Sequence, residues 1–176
     1  MDIKRVTSPG GIEAWLVESH ANPLIAMRFA FRGGAAQDPQ DKQGLAYFVS
    51  GMMDEGAGEL DSVAFQERLQ TLAMRVDFDA GRDVMLGNVQ MLSANMNESF
   101  DLLRLAMSQP RFDADALERV RAQIIAGLKF DENDPEEVAS LAWDRLAFQG
   151  HPYGRPIKGT KATIAAMTQE DLRDYV

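Results

Sequence analysis

The chain has 176 residues, enough for one domain with a substantial apolar core. Its formal net charge is -9, and no basic stretch supplies the counter-charge that a nucleic-acid backbone requires. It has no cysteine, which excludes disulfides, thiolate catalysis and cysteine-ligated metal, and no run approaches the ~18 apolar residues of a membrane span.

The first third reads as strands. Gly10-Gly11 signals a turn, and Ile12 to Glu18 is partly alternating. Leu24 to Phe31 is a near-continuous apolar run, as in a central buried strand, and Gly33-Gly34 ends it. A helix is expected from Lys42 to Glu55, with Leu45, Phe48, Val49, Met52 and Met53 on one buried face. A second is expected from Ser62 to Ala73.

Met74–Asp79 and Asp83–Leu92 read as two strands joined by Ala80-Gly81-Arg82, a hairpin-length loop. The next segment is helical, with Phe100, Leu103 and Met107 as its stripe and Pro110 as its close. Asp113 is the expected N-cap of a long helix carrying Leu117, Val120, Ile124 and Leu128. Asp134-Pro135-Glu136-Glu137 opens another helix that reaches Phe148. The loop Gly150-His151-Pro152-Tyr153-Gly154-Arg155-Pro156 follows, and Thr168 opens a last helix. No linker or repeat divides residues 1–176, so one α+β domain is expected, with a mixed or antiparallel sheet and helices on one face.

Chemistry is conspicuously thin. The two histidines, His20 and His151, are far apart and belong to no paired zinc motif. No G-x-S-x-G elbow and no phosphate-binding glycine loop is present.

The segment Gly44-Leu45-Ala46-Tyr47-Phe48-Val49-Ser50-Gly51-Met52-Met53 resembles the G-L-A-H-F-L-E-H-M segment of pitrilysin/insulinase-type zinc peptidases. There the two histidines bind zinc and the glutamate activates water. Here those positions hold Tyr47, Ser50 and Gly51. The family's third ligand, a glutamate in E-R-x-R-x-x-I-x-x-E-L, matches Gly127 within Glu118 to Leu128. Phe31 to Asp38, Gln109-Pro110-Arg111-Phe112 and Gly150-His151-Pro152-Tyr153-Gly154 resemble further family segments, in the right order.

Tyr47, Ser50, Gly51 and Asp54 fall at i, i+3, i+4 and i+7 and are expected to form one stripe beside the buried face, where ligands would sit. Serine is a poor zinc ligand and glycine offers no side chain. Close packing of Gly127 against the Tyr47 helix is expected in compensation for its cost. A remodelled site built from His20, Tyr47 and Asp54 is the remaining route to metal.

The resemblance implies the first domain of a longer chain that has lost its catalytic and metal residues and needs no zinc cofactor. It implies an accessory role beside a homologous zinc-peptidase chain, or alternatively a scaffolding role without peptide binding. Active members take substrate as an added strand, and the matching edge is Val76, Asp77, Phe78 and Asp79. Bacterial relatives point to the periplasm. Peptide is the expected ligand class; nucleic acid and a membrane span are not expected.

Overall fold

The computed structural model describes residues 2–176. Strands β1 (Lys4–Thr7) and β2 (Glu13–Leu16) form an antiparallel hairpin of their own. Its residues are exposed, Trp15 at 77%, and ion pairs Lys4–Glu18 and Arg5–Glu13 flank it.

Strands β3 (Leu24–Arg32), β4 (Arg75–Ala80) and β5 (Val84–Leu92) form an antiparallel sheet in the order β3-β5-β4. One face is apolar: Ile25, Met27 and Phe29 of β3, Val76 and Phe78 of β4, and Met85, Val89 and Met91 of β5. Phe29 sits opposite Gly87. A Cβ on Gly87 would stand 2.2 Å from the Phe29 ring, so glycine is what lets that ring lie across the centre of the sheet.

The expected central strand at Leu24–Phe31 is in fact an edge. It pairs only with β5, and Leu24, Ala26, Arg28 and Phe31 are exposed. Its apolar run hides a two-residue alternation in which Leu24, Ala26, Arg28 and Ala30 face out and Ile25, Met27 and Phe29 face in. The centre is β5, which alternates strictly and is flanked on both sides.

The helices are α1 (Leu45–Ser50), α2 (Ser62–Thr71), α3 (Met96–Ser108), α4 (Ala114–Asp131), α5 (Pro135–Ala147), α6 (Lys161–Ala166) and α7 (Gln169–Tyr175). Helices α2 and α3 cover one end of the apolar face through Phe65, Leu69, Leu102 and Leu103. Helices α1, α4, α6 and α7 cover the other through Phe48, Val49, Leu117, Val120, Ile164 and Leu172. The α+β class with helices on one face therefore holds.

Local signals were honoured unevenly. Asp134 caps α5 by accepting from Glu136 N at 2.9 Å, and Thr168 caps α7. Asp113 stands before α4, but its carboxylate binds Arg111 Nε at 2.6 Å instead of capping. Phe100 is exposed. Helix α3 turns Ser99, Leu102, Leu103 and Ala106 inward, the i, i+3, i+4, i+7 set that meets the sheet. Helix α6 is additional to the expected elements and is opened by a Thr160/Thr163 capping box.

Candidate functional site

Helix α1 is entered through a tightly specified bend. Gly44 adopts a left-handed conformation, φ 90°, and its amide donates to Asp38 Oδ2 at 2.9 Å. Ala46 N donates to Asp38 Oδ1 at 3.1 Å. Asp38 thus satisfies the orphan donors of the first turn from six and eight residues upstream. It is 3% exposed, and burial pushes its carboxyl up to about 6 while those amides pull the other way. Arg155 donates to the Asp38 carbonyl at 3.0 Å, tying the bend to the loop after α5.

The exit of α1 is different. The helix stops at Ser50, not near Glu55. Ser50 Oγ donates to the Tyr47 carbonyl at 2.8 Å, and Gly51 N donates to the same oxygen. That side-chain bond competes with the helical ladder. Beyond it Met52 N reaches back only to Val49 O, and Glu55 N to Met52 O, so the backbone turns in three-residue steps. Tyr47 and Ser50 lie in α1 and Gly51 is its C-cap, but Asp54 lies in the turns that follow. The expected four-residue stripe is broken for this reason.

Tyr47 is half-buried and packs against the core cluster that holds Phe48, Leu117 and Val120, Ser50 is buried, and Gly51 is exposed. A Cβ on Gly51 would meet Val120 Cγ1 at 3.5 Å, an ordinary contact. Gly127 lies seven residues after Val120, about 10 Å further along α4. A Cβ there would meet nothing within 4 Å, so the expected close packing of Gly127 is wrong. The glycine is exposed, although Ile124, Ile125 and Leu128 around it pack against the core.

Beside this helix pair the charges are already committed. Arg119 of α4 donates to Glu55 Oε1 and Oε2 at 2.9 and 2.5 Å, and holds its carboxyl below the ordinary range. Asp54 is shifted the other way, raised first by burial and then by Glu55. Arg121 donates to the Met167 carbonyl at 2.8 Å and lies over the Phe48 ring at 5.3 Å. Sequence reasoning assigned no role to Asp38, Arg119 or Arg121. The one available signal was an aspartate six residues before a glycine that opens a helix.

Strand β4 lies at an edge of the sheet, next to α1 in space. Val76 and Phe78 turn inward, while Asp77 and Asp79 are exposed. Asn88 Nδ2 donates to Asp77 at 2.7 Å. His20 lies in the exposed loop before β3, and His151 accepts from Tyr153 N at 3.2 Å. Among the described residues no three His, Asp or Glu side chains gather as a metal site.

Zinc fits this set badly. The four positions offer a tyrosine hydroxyl, a buried serine hydroxyl spent on a backbone carbonyl, and two glycines. Zinc sites use imidazole, thiolate or carboxylate.

A non-peptidase homolog, YmxG, from Helicobacter pylori is 28% identical over 156 residues, covering 89% of this chain and 36% of the relative. A probable mitochondrial-processing peptidase beta subunit from Arabidopsis thaliana is 24% identical, with coverage of 98% and 33%. The chain thus spans about a third of these curated relatives. Among solved structures, a peptidase M16 inactive domain from Pseudomonas fluorescens superposes with a TM-score of 0.91 at 24% identity, covering 99% of this chain and 43% of that one. A Helicobacter pylori protease superposes with a TM-score of 0.84 at 16% identity, with coverage of 99% and 42%. The family model described as "Insulinase (Peptidase family M16)" matches residues 15–161, and the chain therefore belongs to the insulinase family.

Proposed function

We propose that these residues form the first domain of a longer, non-catalytic insulinase-family protein. It serves as an accessory subunit for a homologous chain with an intact zinc site, helping to enclose the chamber and to hold peptide. The observation that carries this reading is the exit of α1. On this reading Tyr47, Ser50, Gly51 and, on α4, Gly127 correspond to the family's histidine, base, histidine and glutamate, and none supplies a good ligand. The similarity to a non-peptidase homolog of Helicobacter pylori and to an inactive domain of Pseudomonas fluorescens supports it.

Peptide would lie along β4, whose outer edge has free backbone groups beside Val76, Asp77, Phe78 and Asp79. The test is to purify the full-length protein from its native cells and identify what accompanies it. Recovery of a chain carrying an intact zinc motif, whose peptidase activity rises when this protein is added, is the expected result. Recovery alone, with no effect on any such peptidase, overturns the accessory role and leaves the scaffolding one.

The metal assignment has its own check. Tyr47→His, Ser50→Glu, Gly51→His and Gly127→Glu together should yield one bound zinc by elemental analysis of the folded protein. A folded quadruple variant without zinc would show that the four positions do not correspond to the family's site.

A further inference from the structure

Helices cover one face of the β3-β5-β4 sheet, and the opposite face gives no residue to either apolar cluster. Its outward side chains stand in rows fixed by the strand register. Arg28, Asn88 and Asp77 make one row across β3, β5 and β4, and Ala30, Leu86 and Asp79 make the next. Arg32 and Val84 stand one row beyond. The β3 and β4 members are exposed, while Leu86 and Val84 of the central strand are half-buried.

The charges on this face are sorted by strand. β3 offers Arg28 and Arg32, with Ala30 between them, and β4 offers Asp77 and Asp79. None of these four forms an ion pair among the described residues. Asp77 accepts from the neutral amide of Asn88 at 2.7 Å. The remaining charge, Arg75, starts β4 in the row of Ala26 and Gln90, outside the two charged rows. Cations on one edge strand, anions on the other and an apolar middle make the face complementary to itself.

We propose that this face pairs with the same face of a second copy, about a two-fold axis parallel to β5. The rotation lays β3 of one protomer over β4 of its partner and keeps every row level. Arg28 meets the partner's Asp77. The partner's Asp79 sits over the small Ala30, between Arg28 and Arg32. Each contact occurs twice, and Leu86 meets its own copy at the axis. A two-fold across the strands sets β3 on β3 and cation on cation, so the charges select the first axis. Packed sheets stand about 10 Å apart and align within about 30°, which lets facing long and short side chains meet.

Three strands, the longest of 9 residues, span roughly 14 Å by 30 Å. The pair then buries about 800 Å² in all, below the ~1,200 Å² of a standard interface. The dimer is accordingly weak and steered by charge, with a dissociation constant on the order of 100 μM. The pairing uses side chains and leaves the backbone edge of β4 open. It goes beyond the accessory reading, because the partner is the same chain.

The experiment is sedimentation velocity on the full-length protein, from about tenfold below to about tenfold above that concentration. Dimer should appear on concentration and be lost with added salt. Arg28→Asp and Asp77→Arg each set like charges in both copies of the pair and should weaken dimerisation about tenfold or more. An equimolar mixture of the two variants has opposite charges in both pairs, so a heterodimer of near wild-type affinity should form. Leu86→Arg, which sets two cations face to face on the axis, is an independent variant and should abolish the dimer. An unchanged melting temperature shows that each variant is folded. A wild type that stays monomeric throughout, whether its further residues or a different chain covers this face, overturns the proposal. So does a dimer that the single variants leave intact, or one that the mixture does not restore. A zinc-bearing partner can be recovered or missed under any of these outcomes, so the two readings fail separately.

Discussion

The two ends of α1 differ sharply in how much they tolerate. The entrance is crowded by backbone: a Cβ on Gly44 would stand 2.7 Å from the Lys158 carbonyl oxygen, and one on Gly159 would stand 2.1 Å from that of Gln43. Both glycines have positive φ, and the buried Asp38 ties the bend together. At the exit, and across from it on α4, Gly51 and Gly127 are held by nothing comparable. The frame that would aim a catalytic helix is thus demanding, while the positions that would carry ligands are structurally undemanding. Loss of a metal site is possible without loss of the fold, because the two sets of residues are different.

That contrast can be broken most forcefully at the entrance. Gly159→Ala combines a left-handed backbone with a backbone clash and should cost about 3 kcal/mol or more, read as a lower denaturant midpoint. A near-neutral result would mean that the contact with Gln43 relaxes easily, and the contrast would fail. Asp38→Ala leaves two amides of α1 without their acceptor and should cost about 2 kcal/mol.

Asp38 also gives the entrance a pH signature. Its folded carboxyl, at about 6, lies above the ordinary 3.8, so the folded state holds this proton more tightly than the unfolded chain does. Its contribution is then greatest below the lower value and falls as pH rises through the higher one. Asp38→Asn should flatten stability across that window, although it lowers the overall level. A wild-type profile that rises there and is unchanged in the variant would contradict the burial argument.

At the slack end the sign reverses. Gly127→Ala should stabilise by about 1 kcal/mol, since α4 gains helix propensity and nothing is displaced. The smallest effect belongs to Gly51→Ala, within about 0.5 kcal/mol of wild type, because φ is -74° and the nearest contact is ordinary. Destabilisation at either site would mean that the glycines serve packing after all.

Much of the scaffold was legible in the residues. The β4–β5 hairpin followed from alternation around Ala80-Gly81-Arg82, and α5 followed from Asp134-Pro135. The segment around Tyr47 pointed to the family through its flanking residues. The end of α1 was not legible, because apolar periodicity continues through Met52 and Met53 while the hydrogen-bond ladder does not. Periodicity reports which residues are buried; it cannot report that Ser50 Oγ takes up the Tyr47 carbonyl.

The sequence by itself determined the α+β class, the family resemblance and the absence of histidine and glutamate at Tyr47, Ser50, Gly51 and Gly127. Each is a matter of residue type and order along the chain. Tertiary structure alone decided that β3 is an edge, that Asp38 governs the start of α1, and that Gly127 faces open space. Those outcomes depend on which distant segments come together: β5 pairs on both of its sides, the loop at Asp38 folds under Gly44, and none of the described residues comes within 4 Å of where a Cβ on Gly127 would stand. Local pattern carries no information about the neighbour that is missing.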